Sequence, residues 1–130
     1  MPGTSAPATH ITGVRTIGIP VRDQDKALEF YTSVLGFTER LDIAIRQETR
    51  WIEVSPSTDG PSIALVKEHD DVRPGVETGI RLITADADAD HDALLARGVE
   101  VGELLRWPGV PPMFSFRDQD GNSLELVQQP

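Results

Sequence analysis

Cysteine is absent from the sequence. That excludes disulfides, thiolate zinc sites and cysteine nucleophiles together. Aromatic residues are scarce, with four phenylalanines, two tryptophans and one tyrosine among 130 residues. Each tryptophan therefore counts as a candidate contact. Basic residues are outnumbered, with 12 Lys and Arg against 21 Asp and Glu and a formal net charge of -9. A surface of that sign repels phosphate backbones and argues against a nucleic-acid partner. No apolar run approaches the roughly 20 residues of a membrane-spanning helix. The opening "MPGTSAPATHITG" has neither the basic nor the apolar region of a secretion signal. Residues 1–13 read as a loose tail, and the expected location is the cytoplasm.

What is present is a repeat. "DGPSIALVK" begins at Asp59 and "DGNSLELVQ" at Asp120. They share Asp-Gly, Ser, an aliphatic residue, a variable position and Leu-Val. The variable position is Ala64 in the early copy and Glu125 in the late one. Upstream, "VRDQDKALEFYTSVLGF" from Val21 and "TADADADHDALLARGV" from Thr84 each read as a helix. Asp23 and Asp86 supply start signals, and Gly36 and Gly98 stop signals. Ala27, Leu28, Tyr31, Val34 and Leu35 share one face at helical spacing.

A strand precedes each helix, "RTIGIPV" and "TGIRLIT". Three strand candidates follow each. These are "FTERLDIAI", "TRWIEV" and "SIALV" in the first half, and "EVGELLRW", "MFSFR" and "SLELV" in the second. The expected fold is α+β. Two tandem βαβββ modules form curved mixed sheets around a cup, with the helices outside. The expected boundaries are 14–68 for module one, 69–77 for a linker and 78–130 for module two.

Period-two alternation assigns the faces. Ile17, Ile19, Ile52, Val54, Ile63 and Leu65 turn toward the first helix. Ile80, Leu82, Phe114, Phe116, Leu124 and Leu126 turn toward the second. The opposite face carries Thr16, Gly18, Trp51, Glu53, Ser62, Ala64 and Val66, then Gly79, Arg81, Met113, Ser115, Arg117, Ser123, Glu125 and Val127. Aromatic walls with a few polar groups are typical of small-molecule pockets. The candidate ligand-binding residues are Thr16, Trp51, Glu53, Ala64, Arg81, Met113, Ser115 and Glu125. Trp107 joins them from the proline-rich loop "RWPGVPPM", a possible lid. The run "DADADHD" lacks the glycine and terminal Glu of a calcium loop and suits a helix N-terminus. There is no nucleophile elbow, P-loop or Rossmann fingerprint, and no catalytic residue is assigned.

"VRDQDKALEFYTSVLGF" and "FRDQDGNSLELVQ" resemble the vicinal oxygen chelate superfamily, which includes glyoxalase I, bleomycin-resistance proteins and extradiol dioxygenases. The resemblance implies the paired modules. It also implies where a divalent ion would sit in the family's metal enzymes: at Thr16, Ala64, Gly79 and Glu125. Only Glu125 is a recognisable ligand, whereas a catalytic zinc site needs about three. His10, His69 and His91 match none of these positions. The expectation is a metal-free small-molecule binding protein, similar to the family's drug-sequestering branch, without cofactor and as a homodimer. The alternative is a metal-dependent lyase, isomerase or dioxygenase of the glyoxalase type. A third reading is metal-free acid–base chemistry on Glu125 or Glu53. Glu125 is expected to pair with Arg81, with Arg117 as rival.

Overall fold

The computed structural model describes residues 8–130. Of the expected loose tail, residues 1–7 lie outside the described residues. The elements run β1 (Thr16–Val21), α1 (Gln24–Glu29), a π-helical turn (Phe30–Val34), β2 (Thr38–Arg46), β3 (Thr49–Ser55), β4 (Ser62–Lys67), β5 (Glu77–Thr84), α2 (Ala87–Ala96), β6 (Met113–Arg117) and β7 (Ser123–Gln128).

The helix signals act as the side chains suggest. The Asp23 carboxylate accepts the amides of Asp25 and Lys26 at the head of α1. Asp86 accepts the amide of Ala89 at the head of α2. Each satisfies donors that the first helical turn leaves unpaired. Gly36 and Gly98 close the two helical segments at φ 78° and 80°, in the left-handed region that glycine adopts without steric cost.

The first sheet has the order β1-β4-β3-β2 and the second β5-β7-β6. In both, the strand before the helix pairs in parallel with the last strand of its half. The architecture is α+β, and the internal repeat is visible in the strand order. One expected strand does not form. Residues 100–107 make backbone ladder pairs with β6 only at two isolated bridges, Val101 to Phe116 and Leu105 to Met113. Between those bridges this segment advances four residues while β6 advances three, so an extra residue breaks the ladder. The second sheet therefore has three strands rather than four.

The alternation of faces holds. Ile19, Ile52, Val54, Ile63, Leu65, Phe114, Phe116, Leu124 and Leu126 are all buried. They form one cluster with Ala27, Tyr31 and Leu94 of the helical segments, continuous across both sheets. Each such aliphatic side chain contributes about 1.5–3 kcal/mol by leaving water. Ile17 is the exception, since it sits at the outer end of β1 and stays partly exposed.

A buried polar clasp joins the halves. The Tyr31 hydroxyl donates to Asp118 Oδ2 at 2.8 Å. Asn122, fully buried, donates to the same oxygen at 3.0 Å and to the Pro20 carbonyl at 2.9 Å. Its Oδ1 accepts the amides of Gly75 and Val76. Burial, then the Asp118 charge, pushes the Tyr31 phenol well above its ordinary value.

Candidate functional site

On β3, Trp51 and Glu53 point opposite to the buried Ile52 and Val54. Glu53 is only 4% exposed, yet its carboxylate is fully partnered. The Ser62 hydroxyl donates to Oε1 at 2.6 Å. The Trp51 indole N–H donates to Oε2 at 2.8 Å. Arg15 Nη2 reaches Oε2 at 3.4 Å. Hydrogen bonds from Ser62 and then Trp51 hold the Glu53 carboxyl below the usual carboxylate value, against the opposing effect of burial. Glu53 is thus an ionised anchor for the indole of Trp51.

Two cavities flank this anchor. One, of about 440 Å³, is lined by Val14, Arg15, Arg40, Leu41, Glu53, Gly60 and Ser62. The other, of about 240 Å³, is lined in part by Ile45, Trp51, Val66 and His69. Strand β2 extends the same face, because Leu41 lies opposite Glu53 and Ile43 opposite Trp51. Ile43 and Ile45 are exposed there, so apolar side chains lie near the fixed aromatic ring, interspersed with the charged residues Arg15, Arg40, Arg46 and Lys67 that line the two cavities.

The second sheet carries a different pair. Arg81 Nε lies 2.8 Å from Glu125 Oε1. The two residues are direct partners across β5 and β7, not offset along the strand as the count back from Asp86 suggests. The cause is a bulge: Glu77 pairs with Ser123 and Arg81 with Glu125, so β5 uses four residues where β7 uses two. Gly79 takes φ 73° in that bulge. The Thr78 hydroxyl fills it, donating to the Ser123 carbonyl and accepting the Ile80 amide. Arg117, the rival partner, pairs with Glu100 at 3.0 Å.

The two halves place their carboxylates at one level of the sheet but on different strands. In the first, Gly18, Ala64 and Glu53 stand in one row. In the second, the row is Arg81, Glu125 and Ser115. The acid absent from position 64 stands on the neighbouring strand as Glu53. Between the sheets, a groove of about 480 Å³ brings Ile17, Pro61 and Ser62 beside Ile80, Arg81 and Ile83. Ser62 lines both this groove and the 440 Å³ cavity.

The residues expected to line one cup are therefore partly dispersed. Trp51 and Glu53 are in contact, with Ala64 buried beside them at 1% exposure and Thr16 half-buried opposite Ser62. Arg81, Glu125 and Ser115 form the second group, and Met113 is half-buried two residues along β6. Trp107 is exposed in the 106–112 loop and lines neither cavity beside Trp51. Sequence reasoning missed Arg15, Arg40, Leu41, Ile43 and Ile45. The alternation of Leu41, Ile43 and Ile45 in "RLDIAI" is the signal that could have found the last three.

The residues do not fit a divalent ion at the four positions where metal-binding relatives hold one. Thr16, Ala64 and Gly79 offer no carboxylate or imidazole, and the Glu125 carboxylate is already engaged by Arg81. Among the described residues, no three His, Asp or Glu side chains converge into a metal-sized cluster.

A helix-backed small sheet that occurs twice in the chain, with four strands in the first half and three in the second, and a polar and aromatic cluster on the face away from the core of the first, define the class of fold. The chain belongs to the Glyoxalase/Bleomycin resistance protein/Dioxygenase superfamily, whose family model matches residues 10–126. It is similar to TnmS3, an antibiotic binding protein from Streptomyces sp. CB03234, with 34% identity, 94% of this chain and 99% of that one covered, and a TM-score of 0.81. A superfamily member from Sphaerobacter thermophilus DSM 20745 is also 34% identical, with 93% and 100% covered and a TM-score of 0.85. Among curated proteins, YetH of Bacillus subtilis (strain 168) is 30% identical, over 91% of this chain and 99% of its own.

Proposed function

We propose that the protein binds a small organic molecule stoichiometrically on the concave face of the first sheet, with no metal ion taking part. The observation that carries this reading is the Trp51 indole, held by the buried Glu53, with a cavity beside each of the two residues. Rigid aromatic surface with a few placed polar groups favours ligand binding at low entropic cost. Acid–base chemistry on Glu53 is disfavoured, because both of its oxygens already accept hydrogen bonds and its proton affinity is lowered. The likeness to an antibiotic binding protein supports an antibiotic-like natural product as the ligand and sequestration as the role.

The reading includes a homodimer. Ile83, 76% exposed on the second sheet, and Ile43 on the first are surfaces that a second copy would cover. Sedimentation equilibrium checks this part, with a mass near twice the 14.2 kDa chain as the expected result. For binding, the test is calorimetric titration of chelator-treated protein with a panel of aromatic natural-product antibiotics. The expected outcome is saturation at about one molecule per chain by at least one compound. Heat that appears only when a divalent metal is restored contradicts the reading.

A further inference from the structure

The chain has a formal net charge of -9, yet two of its arginines line the same 440 Å³ cavity, Arg15 and Arg40. Neither is committed to a strong ion pair. Arg40 Nη1 donates only to the carbonyls of Ser57 and Thr58, at 3.2 and 3.4 Å. No carboxylate pairs with it among the described residues. Arg15 is 79% exposed and meets Glu53 at 3.4 Å, the longest of the three bonds that carboxylate receives. Ser62 and Trp51 keep Glu53 satisfied when Arg15 turns away.

The backbone adds a second observation. Glu39 pairs with Val54 and Leu41 with Glu53, so Arg40 is the extra residue of a β-bulge. In a regular strand Arg40 and Leu41 point to opposite faces. Here both line one cavity, and re-aiming a side chain is what bulges beside binding sites do. The position of Trp51 completes the geometry. Its indole N–H and the Arg15 guanidinium donate to the same Glu53 oxygen, at 2.8 and 3.4 Å. No more than the sum of those two lengths separates them.

We infer that this cavity is an anion subsite, in which Arg15 and Arg40 hold a carboxylate or phosphate of a ligand whose aromatic body lies against Trp51. The inference rests on the small-molecule reading above and narrows its ligand to an aromatic organic acid. It runs against the overall charge, which by itself favours a cation. Guanidinium groups pair with planar oxyanions through two parallel N–H donors, and a pocket that excludes part of the solvent strengthens that pairing.

The test is an NMR titration of the full chain, following the indole N–H resonance of Trp51, one of only two tryptophans. The probes share one ring system: 2-naphthoate, 2-naphthyl phosphate, neutral 2-naphthalenemethanol and cationic 2-naphthylmethylamine. Both anions are expected to bind about tenfold more tightly than the alcohol, the worth of one charge-assisted hydrogen bond. The tighter of the two names the preferred oxyanion. Arg15→Gln and Arg40→Gln each remove most of that advantage and leave the alcohol unchanged. Arg97→Gln, an exposed position at the end of α2, keeps it. Both tested arginines are exposed, and melting temperatures confirm that the variants fold. Equal binding of acid and alcohol, or tightest binding of the amine, overturns the subsite while leaving Trp51 as a ligand platform. If no probe of any charge moves the Trp51 resonance, the subsite and the concave-face reading both fall.

Discussion

Glu53 shows how one buried carboxylate organises a sheet face through the hydroxyl and indole donors around it. Its hydrogen bonds to Ser62 and Trp51 exist in the fold and are lost on unfolding, so its folded pKa lies below the ordinary value of 4.5. Such a group stabilises the protein above its unfolded pKa, and that contribution disappears as pH falls through the lower folded value. Ser62→Ala removes the largest cause. It is expected to cost about 1–3 kcal/mol at pH 7, since a buried acceptor loses its donor. The deficit relative to wild type is expected to shrink as pH falls below the ordinary value of 4.5, and urea unfolding at several pH values checks both parts. The pair on the other sheet behaves differently. Arg81 and Glu125 have side chains 69% and 38% exposed, so solvent screens their attraction. A double-mutant cycle with Arg81→Met and Glu125→Gln is expected to return a coupling of about 1 kcal/mol or less. A much larger value contradicts the exposed pair described here.

At the scale of elements, three irregular strands separate what was legible in the sequence from what was not. Period-two alternation correctly turned Ile52 and Val54 inward and Trp51 and Glu53 outward, because β3 is regular there. Capping aspartates and closing glycines marked both helices for a local reason: their side chains and backbone freedom act within one turn. Bulges have no such local signature. The extra residue at Arg40 re-aims a side chain that alternation assigns to the other face. The bulge around Gly79 slides Arg81 beside Glu125, two residues from where counting along β5 places a partner. The extra residue between Val101 and Leu105 leaves an expected strand as two bridges. Sequence spacing also carries no trace of the Tyr31–Asp118–Asn122 clasp, whose members meet only when the halves pack. Gly79→Ala tests the bulge directly. A side chain at φ 73° is expected to cost about 1–3 kcal/mol, seen as a lower urea midpoint with an unchanged slope. No loss means that β5 relaxes to a regular register.

For the whole molecule, one continuous core and one buried clasp join the two halves, which are therefore expected to unfold as a single cooperative unit. Tyr31→Phe deletes the clasp hydroxyl but not the ring. It is expected to cost about 1–2 kcal/mol, because Asn122 still donates to Asp118, and to keep unfolding in a single transition. Two resolved transitions contradict the single-unit account. The central claim is that this unit binds an organic ligand at Trp51 without a metal. A thermal-shift screen of natural-product antibiotics and divalent metals, run on chelator-treated wild type and on Trp51→Ala, tests it most directly. Binding to the folded state raises the melting temperature by mass action. The account predicts at least one organic compound that stabilises the metal-free wild type and leaves Trp51→Ala unmoved. Stabilisation by organic compounds only after a divalent metal is added, or to the same extent in Trp51→Ala, contradicts it.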